Sequence, residues 1–217
     1  MNKQNIVQKT EAHIRRQCEH DTSGHDWWHI DRVRNLALRI GAEERADLFI
    51  VELGALLHDI ADFKFHNGDD RAGGKAARKW LTSLGANELI IEKICHIVDN
   101  VSFKGLGVKS KMYSLEGKVV QDADRLDAIG AIGIARAFAY GGHKGRPLYI
   151  PGTKPSFHKT FSAYKKGENS SLLHFYEKLL HLKGLMNTKA GKKIAASRHR
   201  FLVEYIKEFH AEWDGKK

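Results

Sequence analysis

Apolar residues return at three- and four-residue intervals along nearly the whole chain, and the alternation that marks a half-buried strand is essentially absent. His29, Val33, Leu36, Ala37 and Ile40 fall at i, i+4, i+7, i+8 and i+11, which is one face of a helix. Ile6, Val7, Ile14 and Cys18 mark an earlier helix by roughly the same spacing. Further helices are predicted over about 44–58, 70–84, 87–101, a pair across 115–139, then 171–186 and 189–213. Thr188 stands where the last one needs an N-cap, and Gly41, Gly85 and Gly141-Gly142 read as helix ends. Pro147, Pro151 and Pro155 all fall within 141–167, the one long irregular segment and a basic one. The expected fold is therefore all-α, a single compact helical domain over 1–217 with one long irregular basic loop.

Length and charge narrow the function classes. A chain of 217 residues suffices for one well-filled core and is short for two. Lys and Arg number 36 against 26 Asp and Glu, so the net charge of +10 favours an anionic partner. The basic residues are spread along helices instead of forming one block, which favours a phosphorylated small molecule over nucleic acid. Cys18 and Cys95 lie far apart and form neither a disulfide framework nor a Cys-x-x-Cys motif, so both read as buried structural thiols. No apolar run approaches the roughly 20 residues that span a bilayer, and the start lacks a signal-peptide apolar core. A cytoplasmic location and no membrane partner are expected.

The polar residues that stand out are His58 and Asp59, closing the apolar run that begins at Leu53. A carboxylate in such surroundings is costly unless it is paired or bound to a cation. Asp124 shares a helical stripe with Val120 and Asp127, where neighbouring carboxylates need a cation or donors between them. A salt bridge to Arg125 or to another helix is the plainer explanation for Asp124, and a hydrogen-bonded core or cap role the plainer one for His29. Taken together, His29, His58, Asp59 and Asp124 offer two nitrogens and two oxygens, a set that suits a divalent first-row metal.

Those four positions resemble the H…HD…D signature of the HD-domain metal-dependent phosphohydrolases, and the resemblance extends around them. Gly24-His25-Asp26-Trp27-Trp28-His29-Ile30-Asp31-Arg32-Val33 is similar to that family's opening motif. The stretches His58-Asp59-Ile60-Ala61-Asp62-Phe63-Lys64-Phe65 and Gln121-Asp122-Ala123-Asp124-Arg125-Leu126-Asp127 resemble its central motifs. The ending, from His174 through Arg198 and Phe201, is similar to a bacterial branch of stand-alone HD proteins that includes a nucleoside triphosphate pyrophosphohydrolase. The match covers roughly the whole chain, with the metal-site motifs inside 25–127 and the C-terminal helices over 171–213.

The resemblance implies an enzyme with one divalent ion held by His29, His58, Asp59 and Asp124. Mn²⁺, Co²⁺, Ni²⁺ or Fe²⁺ suits such a set, which leaves positions open for water and substrate, with Mg²⁺ and Zn²⁺ as further options. The implied reaction is hydrolysis of nucleoside or deoxynucleoside triphosphates to monophosphate and diphosphate by a water activated on the metal. Nucleoside monophosphate phosphatase and alarmone (ppGpp) hydrolase are the alternatives within the class. A non-catalytic nucleotide- or nucleic-acid-binding module is the alternative outside it. Asp62, just past the His-Asp pair, is the candidate general base, with an N-cap or surface carboxylate as the competing role. In alarmone hydrolases an acidic pair follows the His-Asp motif; here Asp62 is followed by Phe63, which counts against that substrate. Lys64, Lys104, Arg125 and Arg146 are candidate phosphate contacts, and Trp27-Trp28 is read as an aromatic anchor for its helix.

Overall fold

The computed structural model describes residues 2–18, 26–60, 72–103, 105–108, 110–155 and 170–217. Among these residues every regular element is a helix: α1 (Lys3–Gln17), α2 (Trp27–Glu44), α3 (Leu48–Leu57), α4 (Ala72–Ser83), α5 (Glu88–Val101), α6 (Leu115–Asp127) and α7 (Gly130–His143). A short α8 (Leu173–Glu177), a 3₁₀ segment (Leu179–Leu185) and the long α9 (Lys189–Trp213) follow. The all-α expectation holds. No described helix is long and apolar enough to cross a membrane.

Short polar residues start the helices. The side chains of Asn2, Asp26, Asp47, Asn87 and Thr188 each accept a hydrogen bond from a backbone N–H of the first turn, which satisfies a donor that the helix leaves open. Thr188 is thus the cap its position suggested. The glycines behave differently from expectation at two places. Helix α2 runs through Gly41 to Glu44 and ends on Arg45 in the left-handed region, while Gly41 is buried against Leu48 and Val51. Helix α7 likewise runs through Gly141 and Gly142 to His143. Gly85, just past α4, does adopt the positive φ of a terminating glycine, 67°. The helix expected over 171–186 is broken at Lys178, and its second part is 3₁₀.

The chain forms two compact units, Met1–Phe103 with Ser110–Asp124, and Lys104–Lys109 with Arg125–Lys217. In the first, α3 is the hub: α1, α2 and α5 pack on it, and α4 packs on α5. Its Leu53–Leu57 stretch is fully buried, as an apolar helix in a core should be. At Gly54 a Cβ would stand 3.3 Å from the side chains of Ile97 and Val120, so the absence of a side chain lets α5 and α6 approach closely. Arg34 joins three helices, donating to Glu52 and to Glu11 at 2.9 Å each. In the second unit α7 and the 3₁₀ segment pack on α9, with Phe138, Phe175 and Phe209 in ring contact at 5.5–6.1 Å. Arg198 donates to the Leu126 carbonyl at 2.6 Å and Arg136 pairs with buried Asp127 at 2.7 Å. Cys18 and Cys95 form no disulfide with each other, and both are half-buried where full burial was expected.

Two stability measurements follow from this packing. Gly54→Leu forces a branched side chain between α5 and α6, and urea unfolding should show a loss of about 1–3 kcal/mol. In the second unit, burial together with the charges of Lys178 and Arg146 lowers His174 to about 3, from 6.5. The unfolded chain therefore takes up a proton near pH 6.5 that the folded chain refuses until about pH 3. Stability is lost as pH falls through that window, by up to about 1.4 kcal/mol per unit. His174→Gln should flatten the decline of the urea midpoint between pH 7 and pH 4, relative to the parent chain.

Candidate metal centre

Two helix ends and one helix face of the first unit bring the polar groups together. Asp26 caps α2 by accepting from the His29 backbone N–H at 2.8 Å. This cap fixes where the first turn begins, and His29 follows it on the stripe that continues through Val33, Ala37 and Ile40, all buried. Helix α3 delivers His58 at its C-terminal end, with Asp59 next. Asp124 comes from α6, one turn after the Val120 that packs on Gly54.

His29, His58 and Asp59 converge, and Asp124 stands beside the two histidines without joining that mutually close group. His29 Nε2 and His58 Nε2 are 3.2 Å apart. Asp59 Oδ2 lies 3.5 Å from the first nitrogen and 3.4 Å from the second. Asp124 Oδ1 lies 3.7 and 4.0 Å from the same two atoms. Both imidazoles are almost fully enclosed, while the Asp124 side chain is 28% exposed, so the site opens to solvent on the Asp124 side.

The hydrogen bonding of His58 settles what it presents. Its Nδ1 is 2.7 Å from the Ala55 carbonyl oxygen. A carbonyl only accepts, so Nδ1 carries the proton and Nε2 turns a lone pair into the site. This arrangement, a backbone acceptor behind the ring, is how ligand histidines are oriented and their tautomer fixed. A carboxylate oxygen and a nitrogen lone pair facing one point repel each other unless a proton or cation lies among them. Ligands sharing a cation at about 2.1 Å stand roughly 3.0–3.4 Å from one another, close to the nitrogen–nitrogen and nitrogen–Asp59 separations here. His29, His58 and Asp59 thus form a group that could hold a metal ion.

The other residues singled out in the sequence fall elsewhere. Asp62, Lys64 and Lys104 lie outside the described residues. Arg125 is buried, and its Nη1 donates to the Leu185 carbonyl. Arg146 is half-buried, with its guanidinium 5.7 Å from the Tyr140 ring centroid, and Lys144 stands over the same ring at 5.6 Å. Sequence reasoning missed the two supports, Asp26 and the Ala55 carbonyl. The first was visible as an Asp three residues before His29, a capping pattern; a backbone carbonyl leaves no such signal.

Comparison with known proteins gives one answer. The HD domain family matches residues 27–129, the stretch that carries all four groups. The protein YpgQ of Bacillus subtilis (strain 168) is 40% identical over 196 residues, 90% of this chain and 87% of YpgQ. Among solved structures, a Lactobacillus plantarum protein aligns with a TM-score of 0.87 at 37% identity, covering 99% of this chain and 100% of the other. An HD-superfamily hydrolase from Bacillus thuringiensis aligns at 0.76 and 44% identity, covering 98% and 99%. YpgQ in complex with ADP aligns at 0.72 and 39% identity, covering 93% and 97%. Since the likeness runs nearly end to end in each case and spans the convergent histidines and carboxylates, this chain belongs to the HD superfamily of metal-dependent phosphohydrolases.

Proposed function

We propose that the protein hydrolyses nucleoside or deoxynucleoside triphosphates to monophosphate and diphosphate. The observation that carries the nucleotide is the similarity, at 39% identity over 93% of this chain, to a YpgQ structure that holds ADP. The net charge of +10 supports an anionic substrate of this kind.

His29, His58, Asp59 and Asp124 hold the divalent cation in this reading, with Mn²⁺ as the first choice among Mn²⁺, Co²⁺, Ni²⁺ and Fe²⁺. Bound there, such an ion lowers the pKa of water and neutralises charge on the phosphoryl oxygens. The chain's own residues do the rest. The Ala55 carbonyl keeps the proton on His58 Nδ1, and the Asp26 cap holds the His29 end of α2 in place. The opening on the Asp124 side admits the phosphate chain. Asp62 takes the proton from the attacking water, and Lys64 meets the charge of the phosphates. The protein works in the cytoplasm, where its nucleotide substrates are.

The test is metal-stripped protein supplied with Mn²⁺ and a panel of nucleoside tri- and monophosphates plus ppGpp, with products resolved by anion-exchange chromatography. Diphosphate should appear from the triphosphates, and Asp59→Ala should lower kcat/KM by about 100-fold or more. The same variant should lose the rise in thermal midpoint that Mn²⁺ gives the parent chain. Asp62→Asn should lower kcat by about 10²–10⁴-fold and keep the Mn²⁺ thermal shift. Inorganic phosphate from monophosphates, or diphosphate from ppGpp alone, would replace the triphosphate reading with the corresponding phosphatase or alarmone hydrolase.

A further inference from the structure

Asp124 is the outlying member of the four side chains at the metal centre. It is the most exposed of them, at 28%, and its oxygen stands 3.7 and 4.0 Å from the two imidazole nitrogens, farther than that of Asp59. Metal–ligand distances tolerate only about 0.2 Å. Where α6 carries this carboxylate therefore decides whether it reaches a shared cation. The contact of Val120 with Gly54 sets how near α6 comes to α3. Apolar contact is non-directional, so it leaves the height of α6 and its turn about its own axis to polar bonds.

One buried amide supplies those bonds. Gln121 is 1% exposed and follows Val120 on α6, three residues and about 4.5 Å of helix rise before Asp124. Its Nε2 donates to the carbonyls of Asn100 and Val101 at 2.9 and 3.3 Å. Both belong to the last turn of α5, whose carbonyls have no partner within their own helix. Its Oε1 accepts from Ser110 Oγ at 3.3 Å, and that hydroxyl accepts from the Met112 backbone N–H at 3.2 Å. Two carbonyls face one end of the amide, so that end is the nitrogen and the other is the oxygen. Both ends are committed in a place that water hardly reaches, and a slide or turn of α6 has to break bonds to three separate groups. All of these residues belong to the first unit.

We infer that Gln121 is a positioning residue of the metal centre: by bonding α6 to the end of α5, it holds Asp124 where its carboxylate completes the set around the divalent cation. The inference rests on the reading of His29, His58, Asp59 and Asp124 as one metal site, and extends it to an amide spent on α5 and Ser110. A bond that serves stability alone acts with or without Asp124. A positioning bond changes metal affinity through Asp124 only.

The experiment is calorimetric titration of Mn²⁺ into the metal-stripped parent protein, Gln121→Met, Asp124→Ala and the double variant, with metal-free thermal midpoints recorded alongside. Methionine keeps the length of the side chain and loses the amide. Gln121→Asn, which keeps the amide and shortens its reach by one methylene, runs through the same cycle, so the test holds if Gln121→Met fails to fold. Asp124→Ala should weaken Mn²⁺ binding. Gln121→Met should weaken it by about 10- to 100-fold, the range for removing the support of a metal ligand. In the Asp124→Ala background the same change should alter Mn²⁺ affinity by less than about 2-fold, because the carboxylate it positions is gone. The fall in metal-free thermal midpoint, which reads the structural cost, should be the same in both backgrounds. Unchanged Mn²⁺ affinity in the Gln121 variants beside a weakened Asp124→Ala overturns the positioning role and leaves the metal centre standing. An equal loss of affinity in both backgrounds makes Gln121 a support of the fold alone and overturns the role as well. Full Mn²⁺ affinity in Asp124→Ala overturns the four-ligand reading and the inference with it.

Discussion

Helix α3 can serve as the hub of the first unit because Gly54 carries no side chain. Ile97 and Val120 close on that glycine from α5 and α6, at distances where a Cβ would already be crowded. Helical geometry then carries the consequence forward. His58 is one turn beyond Gly54, and Asp124 is one turn beyond Val120. Two helices touching at the first pair of positions run side by side to the second pair, where His58 Nε2 and Asp124 Oδ1 stand 4.0 Å apart. Helix α2, packed on α3, brings His29 to the same point. A packing decision in an apolar core thus fixes the spacing of polar groups at its edge.

The resulting arrangement is expensive in isolation. Two nearly inaccessible imidazoles and the Asp59 carboxylate, 12% exposed, share a small volume where water can do little to solvate them. The cost makes sense if a cation binds. The same ion would tie α2, α3 and α6 together, so part of its binding energy would be folding energy of the first unit. Chemistry and stability would then draw on one interaction, and the hydrophobic packing behind it, Leu53 to Leu57 and Val33 to Ile40, would serve to hold the ring positions.

Much of this was legible in the sequence, for identifiable reasons. The helices were visible because their apolar stripes are long and their caps are the residue types that caps require; Thr188 is the plainest case. The four polar groups were visible because charged and imidazole side chains at the end of apolar runs need an explanation. The glycines were misread for a physical reason. A glycine that ends a helix and one that lets a neighbour come close look the same in sequence, and Gly41 and Gly141 are of the second kind. The break at Lys178 had no signal, since the backbone turns there without glycine or proline. Arg125 sits beside Asp124 in sequence, but adjacent helical positions diverge by about 100°, and its Nη1 donates to the Leu185 carbonyl, a backbone partner that leaves no sequence signal.

The central claim is that His29, His58, Asp59 and Asp124 hold one divalent cation together. Anomalous diffraction at the manganese edge, from crystals of the protein grown with Mn²⁺, addresses it directly. The account predicts one strong peak within about 2.0–2.3 Å of Nε2 of both histidines and an oxygen of both aspartates. A peak lying elsewhere, or none at the four side chains in crystals with Mn²⁺ in excess, would contradict it.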